Sequence, residues 1–474
     1  MNFHGKPRAT GQELRWWLRR GRRFARRTPG CALSLVAIVW LTAPRSLLWV
    51  GIWIGLLVTL RVWSVRAPLS FSRITGPLLG RWHLFRIRWH WRAVSEGCGL
   101  AVLPPASRRP EDSQRRPRLL IPRVVSSKAA WPHLELVVRP QLGQTMQTFE
   151  QAAEATRVAV GASRLRVEPQ GVQGVGLILT VGDELRTPFE ATVGDVASGL
   201  SSVALGRRED GRPWLLAIGP QTLVAGCSGS GKGSVFWSFA FGLAPAVREG
   251  RVRLHGIDLK GGMEIRMGDP LFTTTATNAS EAVASLEMLV GWMQERTRAY
   301  AGRVRSHEAT VSEPLHVVMI DELAALTAYC PERDLQRRAE AAINLLCSQG
   351  RAPGFMVFAC LQDPRKEVIP SRGLFTQMVG LRLKDLSETA MVLGETAVES
   401  GAWCHRITRN VPGTGFVLPE DGTHPVRVRA GFASDDLIRS VAREYATASR
   451  VTLVLPEGEH HLSRSKRPRA SEAA

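Results

Sequence analysis

The residues with the clearest chemistry are Gly226-Cys227-Ser228-Gly229-Ser230-Gly231-Lys232-Gly233-Ser234. Glycines at 226, 229 and 231 let a backbone curl until several N–H groups point at one polyphosphate. Lys232 then carries an ammonium to its β- and γ-phosphates. Leu223-Val224-Ala225 before the loop reads as a strand ending, and residues 235–240 after it read as the first turns of a buried helix. Strand, glycine-rich loop and helix form the context such a loop needs, and the helix adds the positive end of its dipole. The position after the lysine, where a Ser or Thr hydroxyl normally holds Mg²⁺, is Gly233, and the hydroxyl comes one residue later at Ser234. Either Ser234 takes that role through a shifted helix start, or a water does.

A second group lies downstream. Leu315-His316-Val317-Val318-Met319-Ile320 reads as a strand that ends in Asp321-Glu322. A carboxylate at the end of a buried strand beside a phosphate loop can hold Mg²⁺, directly or through water. Glu322 is then placed to orient and deprotonate an attacking water. Residues 354–361 read as another strand, ending in Gln362. A polar residue there sits on the sheet's carboxyl edge between the two motifs and can sense a γ-phosphate.

These residues need elements to position them. From residue 216 the pattern alternates strand (253–257, 315–320, 354–361) with helix (280–300, 334–347), which implies a parallel sheet with helices on both faces. A small α+β domain is expected over 119–215, with strands at 134–138, 164–167 and 176–181, a helix at 145–160 and a tight turn at Asp210-Gly211. No catalytic constellation shows in it. Residues 64–118 are rich in Arg, Trp and Pro and end in a linker at 104–118. Trp82, Trp89 and Trp91 stand there among Arg81, Arg86, Arg88 and Arg92, which suits a helix on anionic lipid or a nucleic-acid surface with stacking aromatics. Residues 31–43 and 46–60 are two uncharged apolar runs separated by Pro44-Arg45. One helix through both would put Arg45 near the bilayer centre, at a cost of at least ~2.5 kcal/mol. A membrane segment over 31–63 is expected, as a two-pass hairpin turning at Pro44-Arg45. A single span and an amphipathic anchor are the alternatives.

Charge is unevenly spread. Residues 1–123 carry 23 Lys/Arg against 4 Asp/Glu, whereas the other 351 residues carry 39 against 38. The basicity therefore belongs to the N-terminal region, including residues 1–30, and basic flanks around the apolar runs favour both ends being cytoplasmic. The near-neutral residues 124–474 are weak evidence of an electrostatic grip on nucleic acid. Seven cysteines without a Cys-x-x-Cys pair fit neither a disulfide framework nor a zinc site.

The motifs together carry a resemblance. Residues 226–234, Ile257-Asp258-Leu259-Lys260-Gly261-Gly262-Met263-Glu264, Val318-Met319-Ile320-Asp321-Glu322-Leu323, Gln349-Gly350-Arg351-Ala352-Pro353-Gly354, Cys360-Leu361-Gln362 and Ile369-Pro370-Ser371-Arg372 resemble the FtsK/SpoIIIE family of DNA-pumping ATPases. The Gly-Lys-Gly-Ser loop and Leu243-Ala244-Pro245 resemble its actinobacterial conjugal transfer (Tra) subgroup. The resemblance implies an α/β, RecA-like P-loop ATPase over 216–432, followed by a C-terminal helix and a disordered basic tail at 433–474. It implies ATP and Mg²⁺ as cofactors, a hexameric ring in the cell membrane with the motor cytoplasmic, and double-stranded DNA as the cargo of conjugative transfer. It assigns the phosphate lysine to Lys232, the Mg²⁺ carboxylate to Asp321, the base to Glu322 and the sensor to Gln362. Where the chromosome pumps have Asp-Ser-Arg, this chain has Leu386-Ser387-Glu388, so the arginine given to a neighbouring subunit's ATP falls to Arg351 or Arg372. The stretch after Phe432 is expected to be too short for the winged helix that reads orienting sequences in those pumps. A protein-secretion ATPase and a non-hydrolysing nucleotide-binding scaffold are the alternatives, and Glu322 argues against the scaffold.

Overall fold

The computed structural model describes residues 46–66, 68–104, 119–172, 174–183, 185–194, 200–365, 370–419 and 424–453. The chain divides into two compact units, Met1–Val181 and Gly182–Ala474.

In the first unit, α1 (Ser46–Arg66) carries the second apolar run, and α2 (Pro68–Gly97) follows. Among the described residues no helix is long and apolar enough to cross a membrane. The first run and the expected hairpin turn at 44–45 lie outside the described residues, as does the basic N-terminus. The helix α2 buries Leu84, Ile87 and Trp91, and the Trp91 indole donates to the Pro122 carbonyl at 2.8 Å. Trp91 is thus core, not part of a lipid or nucleic-acid face. The opposite side of α2 leaves Ile74, Leu78, Phe85 and Trp89 in solvent.

That core belongs to an antiparallel sheet of β1 (Arg123–Ala130), β2 (His133–Arg139), β3 (Arg164–Gln170) and β4 (Gly174–Thr180), in the order β1-β2-β4-β3. Strand β2 shows the period of two, with Leu134, Leu136 and Val138 buried on one side. The helix expected over 145–160 is two short ones, α3 (Met146–Gln151) and α4 (Ala153–Val160), and Gly161 at φ 73° ends the second.

The second unit holds a ten-stranded sheet. Its strands are β5 (Ser202–Arg208), β6 (Pro213–Ala217), β7 (Thr222–Ala225), β8 (Val252–Ile257), β9 (Phe272–Ala276), β10 (Leu315–Ile320), β11 (Phe355–Leu361), β12 (Gln377–Gly380), β13 (Thr414–Val417) and β14 (Val426–Ala430). Their order is β6-β5-β14-β13-β12-β7-β11-β10-β8-β9. From β12 to β9 every pairing is parallel, and the four strands on the other side are antiparallel. The small domain expected to reach residue 215 ends earlier: β5 and β6 lie in this sheet, and the units divide at 181/182. The Asp210-Gly211 turn does form a hairpin. What the local sequence cannot show is that β5 also pairs with β14, Val428 opposite Arg208.

Helices cover both faces of the parallel part. Strand β10 is buried throughout, with Val317 and Met319 in one core and Val318 and Ile320 in the other. The first core contains α5 (Lys232–Arg248), apolar nearly all round, with Phe239 stacked on Phe358 at 4.4 Å. The second contains α6 (Ala279–Tyr300), capped by Asn278, and α7 (Arg333–Gln349). The helices α8 (Leu386–Leu393), α9 (Glu395–Glu399) and α10 (Asp435–Glu444) complete the unit. Ile438 and Val441 of α10 join the first core, so the expected C-terminal helix packs into the second unit, and residues 454–474 lie outside the described ones.

Candidate active site

Parallel pairing sets the site. Ala225 lies opposite Leu361, Ala359 opposite Ile320, and Ile320 opposite Ile257. The residues that follow β7, β11, β10 and β8 therefore emerge side by side on the carboxyl edge, where open α/β sheets place their ligands. Those residues are the loop 226–231, Gln362, Asp321-Glu322 and Asp258–Lys260.

The loop is tied at its start to two neighbouring segments. The Gly226 N–H donates to Leu361 O and the Cys227 N–H to Arg382 O, each at 2.9 Å. Gly229 and Gly231 have φ of 68° and 93°, which side chains disfavour, and a Cβ on Gly231 would lie 2.0 Å from Gly413 N. Helix α5 opens at Lys232 directly after Gly231. Ser234 is therefore its third residue, turned by about 100° from position 233. The Lys232 ammonium, 9% exposed, folds back over the loop and donates to Gly226 O at 2.7 Å. Burial lowers its pKa, and the nearby Glu322 and Asp321 charges oppose that.

Asp321 and Glu322 are 8% and 7% exposed. Lys260 donates to Asp321 Oδ2 at 2.7 Å and stands 3.8 Å from Glu322 Oε2. Lys260 is delivered by a turn that Asp258 pins, its carboxylate accepting from Lys260 N at 2.9 Å and Glu264 N at 2.8 Å. Burial favours the neutral form of Lys260, but its bond to Asp321 and the surrounding acids outweigh this and raise its pKa. Glu322 Oε1 accepts from the Gln362 backbone N–H at 3.2 Å, while Oε2 is buried without a hydrogen bond. Burial raises the Glu322 carboxyl, restrained by that N–H and by Lys260 and Lys232. The result is a carboxylate held as a stronger base than a solvated one.

The structure thus brings residues 226–234, Asp321, Glu322 and Gln362 to one edge, with Gln362 holding Glu322 through its backbone. Arg372 lies in the turn Pro370–Leu374 and donates to Pro364 O at 2.6 Å, just beyond Gln362. Arg351 is elsewhere. It precedes β11, at the amino edge, a strand length of about 20 Å from the loop. Glu388, where the family pattern expected an arginine, is in the first turn of α8. Its N–H donates to Asp385 and its carboxylate accepts from Lys384 N, a reciprocal helix cap.

Three residues with a place at the site had no role in the sequence reading: Lys260, Glu264 and Arg382. The motif around Asp258 contained the first two, but their partners lie far along the chain. Arg382 donates to Ser228 O at 2.8 Å from the end of β12, whose four residues give no strand signal. Among the described residues no group of three His, Cys, Asp or Glu is set to hold a metal. Mg²⁺ takes one or two carboxylates beside nucleotide phosphates, and buried Asp321 and Glu322 offer them at this edge. The orphaned Glu322 Oε2 and the buried, unbonded Ser230 Oγ fit a polar ligand at this edge.

Residues 189–313 match the model of the FtsK/SpoIIIE family. The match takes in the phosphate loop and the Asp258 turn and stops short of Asp321. Transfer protein TraSA of Streptomyces ambofaciens is 26% identical over 380 residues, 73% of this chain and 88% of that protein. DNA translocase FtsK of Streptococcus pyogenes serotype M1 is 27% identical over 344 residues, 64% of this chain but only 40% of the translocase's own length. Among solved structures, the pCW3 conjugation coupling protein TcpA, a monomer form with ATPγS, aligns with TM-score 0.45 and 18% identity over 69% of this chain and 94% of that one. The cytoplasmic domain of the Thermomonospora curvata type VII secretion ATPase EccC aligns with TM-score 0.43 and 20% identity over 54% and 32%. The resemblance expected from the motifs is borne out as a match of residues 189–313 to the FtsK/SpoIIIE family model.

Proposed function

We propose that this chain is a membrane-anchored ATPase that pumps double-stranded DNA during conjugative transfer of a plasmid or integrative element, working as a ring of six copies. The observation that carries the chemical half is the buried carboxylate pair, Asp321 and Glu322, on the same sheet edge as Lys232 and its loop. Lys232 and the loop N–H groups bind the phosphates, and Arg382 steadies the loop at Ser228. Mg²⁺, when bound, neutralises charge on the phosphate oxygens, with Asp321 and either Ser234 or a water among its ligands. Glu322 takes the proton of the attacking water, and Gln362 fixes Glu322's orientation. Arg351, on the opposite edge from its own loop, is the better placed of the two arginines to serve a neighbouring subunit in a ring.

The DNA half rests on the likeness to TraSA and to FtsK translocases. A near-neutral motor does not contradict it, because in a ring a few residues are repeated by each subunit. The membrane half rests on α1, whose Ile52, Ile54, Leu56, Leu57 and Val58 are exposed, and on the basic flanks. A chain lacking residues 1–66 should leave the membrane and remain an ATPase stimulated by double-stranded DNA. That stimulation should shrink steeply between low and moderate salt, as phosphate contacts do, while basal hydrolysis changes little. Stimulation by a protein or peptide, with no response to double- or single-stranded DNA at any salt, would favour a secretion ATPase instead.

A further inference from the structure

Gly233 occupies the position where a phosphate loop normally carries its metal-binding hydroxyl, and the structure shows what fills the space. A Cβ on Gly233 would lie 2.9 Å from Glu264 Oε1 and 3.6 Å from Oε2. The Glu264 carboxylate therefore lies against the first turn of α5, where a Ser or Thr side chain would otherwise begin. It is fixed there from two sides. Its own N–H donates to Asp258 Oδ2, and its Oε1 accepts from the indole of buried Trp237 at 2.6 Å. Trp237 is four residues after Gly233, on the same helix face. The side chain is long enough to cross from the Asp258 turn, and a side chain at 233 would displace its carboxylate.

The surroundings call for a cation. Glu264 feels the charges of Asp321 and Asp258, with Lys260 as the cation near this group. Next to Asp321 in the chain, Glu322 is 93% buried and its Oε2 has no hydrogen bond. Mg²⁺ accepts one or two carboxylates together with phosphate oxygens and waters, so a carboxylate can stand in for the hydroxyl.

We propose that Glu264 supplies the Mg²⁺ ligand that Gly233 lacks, so that the nucleotide-bound metal sits between Glu264 and Asp321. This rests on the phosphate-loop reading above, and it replaces both Ser234 and the water considered for that role. The glycine and the carboxylate form a matched pair: the glycine opens the space and the carboxylate fills it.

The test is binding of a fluorescent ADP analogue to the full-length protein in detergent, titrated with Mg²⁺ and separately in EDTA. Glu264→Gln keeps the acceptor for Trp237 and removes the charge. Its affinity in EDTA should stay within twofold of the unaltered chain, while the Mg²⁺ concentration for half-maximal tightening rises at least tenfold. Gly233→Ser/Glu264→Ala, which puts a hydroxyl into the vacated space, should bring that concentration back toward the original. An unchanged Mg²⁺ titration in Glu264→Gln overturns the proposal, as does an equal loss of affinity with and without Mg²⁺, which would make Glu264 a support for the loop. If Glu264→Gln does not fold, the double variant decides: a Mg²⁺ response as weak as that of Gly233→Ala/Glu264→Ala overturns it. Failure of the unaltered chain to bind the analogue in either condition would overturn the phosphate-loop reading itself.

Discussion

The two ends of β10 bury ionisable groups in opposite ways. Near its amino end His316 lies beside His255 of β8, the rings stacked 5.3 Å apart, with His255 Nε2 bonded to His316 Nδ1 at 3.0 Å. His255 Nδ1 continues the chain to Thr274 at 2.9 Å, and His316 also stacks on Phe355 at 4.7 Å. Burial pulls both imidazoles far below their ordinary pKa, so they are neutral. Just past the carboxyl end, Asp321 and Glu322 keep carboxylates beside Lys260, and one oxygen has no hydrogen bond. A buried polar group that is satisfied and neutral belongs to the fold, whereas one left charged and incompletely bonded marks a site.

The strongest way to break the carboxyl end is Lys232→Ala. It removes the cation from the phosphates and should abolish both nucleotide hydrolysis and DNA transfer. A strain that expresses only this variant and transfers DNA normally would sink the motor reading.

Glu322→Gln should come next. It keeps the shape and removes the proton acceptor, so nucleotide still binds while hydrolysis slows at least ~100-fold, the lower range for losing a general base. Because burial penalises the Glu322 charge, the same variant should melt higher at neutral pH. A variant with unaltered turnover would mean another acid is the base. Asp321→Asn should instead weaken Mg²⁺-dependent binding and leave binding in EDTA close to the original.

The amino end should behave as structure alone. His316→Phe leaves His255 Nε2 buried without its partner, at about 1–3 kcal/mol. Hydrolysis per folded molecule should not change. If turnover drops while the protein remains folded, the histidine pair is coupled to the site, and the contrast between the two ends fails.

What the sequence disclosed follows from how far apart the interacting residues are. The loop at 226–234 and Asp321-Glu322 are contiguous and follow buried strands, so local pattern sufficed. Strand β10 was read residue for residue because a fully buried parallel strand is a continuous apolar run. Lys260 was visible as part of a motif, but its bond to Asp321 spans 61 residues and two strands. Glu264 on Gly233 and Arg382 on Ser228 are of the same kind. The boundary at 215 misplaces β5 and β6 for the same reason, since the pairing of β5 with β14 joins residues more than 200 positions apart. Strand β1 escapes the sequence pattern because Arg-Val-Val-Ser-Ser-Lys-Ala-Ala is an edge without a fully buried residue, which gives the core only the partly buried Val124 and Ala129.

The smallest effect is also the one that separates the two ends by sign. His255 has its pKa lowered to about 3 by burial and by Arg253, and His316 is lowered by burial, His255, Arg296, Arg253 and His307. Below their unfolded value near 6.5 the unfolded chain takes up protons that the folded one refuses. Their contribution is therefore intact above pH 6.5 and is lost as pH falls toward 3. Glu322 works the other way. Its folded pKa lies above the usual 4.5, so the folded state holds the proton more tightly, and stability falls as pH rises through that window. Acidification from pH 7 to pH 5 thus penalises the histidines and relieves the carboxylate. The melting midpoint of Glu322→Gln should drop more over that interval than that of the unaltered chain, and His255→Phe/His316→Phe should drop less. Differences of a few degrees are expected, since about 1 kcal/mol moves the midpoint of a unit this large by roughly 2–4 °C. Parallel midpoints in all three proteins would mean that the two ends of β10 titrate alike.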